Sequence, residues 1–94
     1  MASGAILSVV VPRHVMAAST GDSTVLLDLD RGRYYTLNAV AGRIWALLND
    51  GVTAAELPRR IAEEYAVDVE RARSDTESLI AEMLAASLLV RADA

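Results

Sequence analysis

Asp30-Arg31-Gly32-Arg33-Tyr34-Tyr35-Thr36-Leu37-Asn38 is the stretch whose reading decides the fold. Tyr34, Tyr35 and Thr36 favour extended backbone. Asp30-Arg31-Gly32 ahead of them reads as a tight hairpin turn with Gly32 in the left-handed region. Asn38 is a good N-cap for the apolar-periodic run Ala39 to Leu48, so a strand passes almost directly into a helix. If the strand is the last of its sheet, its outer N–H and C=O groups are unpaired and can template another chain.

Upstream, Thr24 to Asp30 reads as a second strand and His14 to Ala18 as a first, joined through the turn residues Ser19 to Ser23. Val25, Leu27 and Leu29 share one face of the second strand; Thr24, Leu26, Asp28 and Asp30 share the other. The third strand alternates Arg33, Tyr35 and Leu37 against Tyr34 and Thr36. The result is an antiparallel meander of three strands with one face buried. Residues 1–12 are expected to form an N-terminal arm that adds a short strand at Leu7 to Val11 and stops at Pro12. The domain proper then spans residues 13–92.

Downstream, Ala41, Ile44, Trp45 and Leu48 give the first helix a buried stripe, and Gly51 suits the left-handed position past its end. Thr53-Ala54-Ala55-Glu56 has the form of a capping box with Val52 and Leu57 as its staple, and Pro58 sits early in the second helix. Asp68 caps the third and longest helix. Its inner stripe is Val69, Ala72, Thr76, Ile80, Met83 and Ser87, flanked by Leu79 and Leu84. Ser87 to Arg91 leaves the helix as a short extended tail. The fold class is α+β and winged helix-turn-helix-like: a three-stranded antiparallel sheet followed by three helices.

Composition excludes most chemistry. Ninety-four residues make one domain. With no cysteine and one histidine, His14, a disulfide frame, a thiolate zinc site and a Ser-His triad all lack their parts. No metal or cofactor is expected. The formal charge is −4, and Asp68, Glu70, Asp75, Glu77 and Glu82 outnumber Arg71 and Arg73 on the helix that would enter a DNA groove. Nucleic acid is therefore not the expected partner. Asp28 and Asp30, two apart on a strand, share a face as an acid–base pair would, but are expected on the solvent side next to the turn. His14 is read as a surface or rim residue, and Trp45 and Met83 as core. Residues 5–11 are apolar but short and lack a preceding positive charge, and no run approaches the ~20 apolar residues of a membrane span. A cytoplasmic chain that meets no membrane is the expectation.

What remains is peptide binding by strand addition. Arg33, Tyr34, Tyr35, Thr36 and Leu37 would supply the edge. Asp75, Leu79, Glu82 and Met83, which climb one flank of the third helix, would wall a groove beside it. The same periodicity fits a plain core role for Tyr35 and Leu37 with Tyr34 covering the sheet, and the residues alone leave the two readings level.

Val25-Leu26-Leu27-Asp28, Gly32 to Asn38, Gly42-Arg43-Ile44-Trp45, Asp50-Gly51, Tyr65-Ala66-Val67-Asp68, then Asp75 and Leu79, together resemble the PqqD-like precursor-peptide recognition elements of ribosomal peptide-modification pathways. The Leu-Leu-Asp, Tyr-Tyr-x-Leu-Asn and Ile-Trp elements most resemble the stand-alone leader-binding protein of lasso peptide biosynthesis. The resemblance covers Val15 to Val90. Where the family often has Gly-Leu after the last helix, this chain has Ser87-Leu88. The resemblance implies a non-enzymatic adaptor that takes the leader as an added antiparallel strand against the third helix. It would deliver that leader to a separate cysteine protease and then a cyclase. Its alternative is the PqqD type, which presents a precursor to a radical enzyme. Either a monomer or an edge-paired dimer fits the open edge.

Overall fold

The computed structural model describes residues 9–91 of the chain. In order, its elements are β1 (Val9–Val10), β2 (Val15–Thr20), β3 (Ser23–Asp28), β4 (Arg33–Leu37), α1 (Ala39–Asn49), α2 (Leu57–Tyr65), α3 (Val69–Ala85) and β5 (Val90–Arg91). β2, β3 and β4 form the three-stranded antiparallel meander in that order, with β4 at one edge. β1 and β5 make a separate two-stranded antiparallel ladder, Val9 opposite Arg91 and Val10 opposite Val90. The described end of the N-terminal arm is thus paired with the tail. Its first eight residues, including Leu7 of the expected strand, lie outside the described residues.

The hairpin turns follow their glycines. β2 runs to Thr20 and β3 starts at Ser23, so the expected five-residue turn shrinks to Gly21-Asp22, with Gly21 at φ +66°. Gly32 has φ +67° at the end of the second turn, where its N–H donates to the Asp28 carbonyl at 2.8 Å.

The buried face of β3 is the reverse of the one that keeps Asp28 in solvent. Leu26 and Asp28 are fully buried, whereas Leu27 and Leu29 are exposed. Asp28 is buried because its partners come with it. Its Oδ1 accepts the N–H groups of Asp30 (3.0 Å) and Arg31 (3.1 Å), and its Oδ2 accepts Arg31 Nη1 at 3.2 Å. Burial alone pushes this carboxyl up. The hydrogen bonds from Arg31 and Asp30, with His14 nearby, outweigh it and hold the pKa below the ordinary 3.8. A lowered folded-state pKa contributes stability above the unfolded value and loses it as pH falls through the folded one. Asp28→Asn should therefore melt earlier than the parent at pH 7, with the gap closing as the pH is lowered below about 4. Parallel thermal melts across that range measure it.

The opposite face of the sheet carries the cross-strand row Met16, Leu27 and Tyr34, aligned by the register and open to solvent. The core lies on the inner side, where Val15, Leu26 and Leu37 meet Ile44, Trp45, Leu47 and Leu48 of α1, Leu57 and Ile61 of α2, and Ala72, Ile80 and Met83 of α3.

Asn38 caps α1 as its sequence position requires, its Oδ1 accepting the Ala41 N–H at 2.9 Å. Gly51 takes φ +98° past the other end. The capping box at Thr53 is only half made. Thr53 Oγ1 accepts the Glu56 N–H at 3.3 Å, but the Glu56 carboxylate meets the Thr53 hydroxyl rather than its N–H. Those residues form a turn, and α2 begins at Leu57, with Arg60 N–H donating to the Glu56 carbonyl. Pro58 has no N–H to return to Ala54, which removes the bond that would start the helix earlier. Asp68 caps α3 through the N–H groups of Glu70 and Arg71. Val69, expected inside, is exposed, and Ser87 lies beyond the helix.

Ser87 has φ +63°, in the left-handed position of a Schellman cap: its N–H donates to Leu84 O and the Leu88 N–H to Met83 O. A Cβ in this left-handed position is strained. Ser87→Gly is expected to stabilise the domain by about 1 kcal/mol, read as a raised urea midpoint at unchanged slope. Ala66, at φ +53° past α2, predicts the same for Ala66→Gly.

Candidate peptide-binding groove

β4 has β3 on one side and no strand on the other among the described residues, because β5 pairs with β1. In an antiparallel ladder, alternate residues of an edge strand turn their N–H and C=O outward, so β4 keeps an open row of donors and acceptors. α3 stands beside that edge. Tyr35, Thr36 and Leu37 face Leu79, Glu82, Met83, Ala86 and Leu88 across a hollow of about 300 Å³. A second hollow of about 400 Å³ continues it past the cap of α1, lined by Asn38, Val40, Ala41 and Ile44 on one side and Asp75, Ser78, Leu79 and Glu82 on the other. Leu79 and Glu82 belong to both, so the two read as one trough.

Of the nine residues singled out from the sequence, six line the first hollow or its floor: Tyr35, Thr36, Leu37, Leu79, Glu82 and Met83. Asp75 lies in the second. Met83 is the floor rather than a wall, since it is 2 % exposed and part of the core. Tyr35 is half-buried and Leu37 buried, so both side chains pack with the core while also lining the hollow. Arg33 and Tyr34 line neither hollow. Tyr34 shares a strand with Tyr35, but the two-residue period turns it to the outer face, where it is 72 % exposed.

Sequence reasoning passed over Ala86, Ser78, Asn38 and Val40. Ala86 continues the step Asp75, Leu79, Glu82 at the same helical spacing and was legible by extension. Asn38 and Val40 were not, because nothing local says that the first turn of α1 opens onto α3. α1 is held in place at its other flank by a bidentate pair: Arg43 Nε and Nη2 donate to the Glu64 carboxylate at 2.8 and 2.9 Å. Those hydrogen bonds draw Glu64 below its ordinary 4.5 and push Arg43 up.

The trough is suited to an extended segment. It offers main-chain partners on one wall, apolar side chains at the floor and two carboxylates on the helical rim. Among the described residues no group of His, Asp or Glu is placed to hold a metal ion, and no helix is long and apolar enough to cross a membrane.

The class is an α+β domain with an open sheet edge facing its last helix. Comparison with known families gives the particular one. The family model for Coenzyme PQQ synthesis protein D (PqqD) matches residues 23–89, and the chain belongs to that family. Two solved structures share its fold. TbiB1 in complex with the TbiA(beta) leader peptide is 34 % identical with TM-score 0.81, the match covering 85 % of this chain and 93 % of that one. A lasso peptide synthetase B1 complexed with the leader peptide is 26 % identical with TM-score 0.80, over 88 % and 98 %. No curated protein sequence matches the chain.

Proposed function

We propose that this chain is a non-catalytic adaptor of lasso peptide biosynthesis. It binds the leader of a ribosomally made precursor as an added strand on β4, and hands it to a separate cysteine protease and cyclase. The observation that carries the reading is the free edge of β4 beside the trough under Leu79 and Glu82, in a fold shared with two structures that hold leader peptides. The main-chain ladder supplies register, and apolar contact with the half-exposed Tyr35 and Leu79, above the buried floor of Leu37 and Met83, supplies most of the affinity. Holding a leader near the protease raises its effective concentration there, and the adaptor speeds chemistry without performing any. The edge left open in the free chain also permits self-pairing until a leader arrives.

Isothermal titration with the synthetic leader of a neighbouring precursor gene is expected to give a Kd of about 1 μM or tighter. A scrambled peptide of the same composition should not bind. Absence of heat and of chemical-shift change at about 100 μM leader would overturn the reading. The purified chain alone should leave full-length precursor intact, and cleavage by it would demand an enzyme instead. The match to the PqqD family model motivates one second reading, in which the chain is a chaperone presenting its precursor to a radical enzyme. Co-purification with a peptidase rather than a radical enzyme separates the two.

A further inference from the structure

We propose that the outer face of the three-stranded sheet is an interface on which two copies of this chain pack sheet to sheet, with both leader troughs left open. The proposal stands apart from the strand-addition reading.

The register puts two cross-strand rows on that face. Met16, Leu27 and Tyr34 form one, and Ala18, Val25 and Thr36 form the other, ~7 Å along the strands. None of the six is charged, whereas the solvent sides of α2 and α3 carry Arg59, Glu63, Arg73 and Glu77. Met16, Leu27 and Tyr34 are 57 %, 40 % and 72 % exposed. The core lies on the other side of the sheet and makes no use of them. A sheet face left to water is ordinarily polar, while loss of charge around methionine and tyrosine marks the centre of a protein interface.

Shape selects the occupant. One row is large and its neighbour small. A two-fold axis parallel to the rows and midway between them sets Met16 over Ala18 of the second copy, Leu27 over its Val25 and Tyr34 over its Thr36. Ridge meets furrow at each position, so the face complements itself in the isologous way of a symmetric dimer. Being uncharged, it offers an unlike partner no ion pair to orient by, and it sets no repulsion between like copies. Two copies packed in this way hide on the order of 1,000 Å², the size at which a specific interface begins. The dimer is therefore a reversible one. It covers neither the main-chain edge of β4 nor the trough on the α3 side.

Sedimentation velocity of the full chain between about 1 and 500 μM tests this, and the parent should pass from monomer to dimer within that range. Met16→Glu and Ala18→Arg should each stay monomeric throughout, with thermal melts like the parent because both side chains are exposed in the single chain. Mixed in equal amounts, the two variants should sediment as a dimer again, since the two-fold sets the introduced carboxylate of one against the introduced guanidinium of the other. Leader peptide in excess should leave the parent dimer whole. A parent that remains monomeric at about 500 μM, variants that dimerise as the parent does, or a mixture that stays monomeric would overturn the proposal. So would a parent dimer that leader dissolves, which would place the contact at the β4 edge. A leader that fails to bind bears on the adaptor reading alone.

Discussion

Leu79→Gln is expected to weaken leader binding by about 10- to 100-fold while leaving the fold in place. Leu79 is the apolar side chain common to both hollows, and it is half-buried rather than core. A guest lying across it would bury its exposed half, worth about 1 kcal/mol, and would leave a glutamine amide there without partners at a further cost of about 1–2 kcal/mol. Glutamine keeps the helix propensity of α3 and the reach of the side chain, so the thermal midpoint should stay within a few degrees of the parent. Calorimetric titration paired with a circular-dichroism melt separates lost binding from lost structure. Tyr35→Ala should also weaken binding, whereas Arg91→Ala, in the β1–β5 ladder, serves as the control that should not. Parent-like affinity in Leu79→Gln with a parent-like melt would place the guest somewhere other than between β4 and α3.

Gly42→Ala is expected to destabilise the domain by about 1–3 kcal/mol, the cost of forcing one methyl group into a filled space. A Cβ at Gly42 would stand 2.5 Å from Thr24 Oγ1 and 3.1 Å from Thr24 Cβ, inside the contact distance that side chains tolerate. The hydrogen atom is what lets α1 lie this close to β3, and the same approach sets Asn38 and Val40 at the rim of the trough. Thr24 is β-branched on a paired strand, so its side chain has little freedom to swing away. Thr24→Ala should recover part of the loss in the double variant, since it removes the nearer atom. Urea denaturation of the four-member cycle measures this, and an unchanged midpoint in Gly42→Ala would mean the two elements separate at little cost.

Local chemistry made the third strand, its glycine turn and the asparagine cap legible from sequence. Gly32, the pair Tyr34–Tyr35 and Asn38 each specify their own backbone without help from distant residues. Two things were not local. Alternation along β3 gives two faces but does not say which is inner. Asp28 tipped the expectation outward because an acid was assumed to need water, when three donors within three residues replace the water. The start of α2 also escaped, since Thr53 to Glu56 carries the letters of a capping box while Pro58 withholds the bond that would extend the helix back to it. At the groove, helical spacing located Leu79, Glu82 and Met83, and strand spacing located Tyr35 and Leu37. The same two-residue period, applied strictly, already turns Tyr34 to the other side.

Met83 beneath the trough and Met16 on the outer surface of the sheet stand on opposite sides of one thin layer. With ¹³C-methyl methionine the domain therefore carries its own pair of NMR beacons. The Met83 resonance should shift when a leader enters the trough, while the Met16 resonance on the far face should stay still. A single titration with leader peptide would therefore carry its own internal reference, one methyl that moves against one that does not.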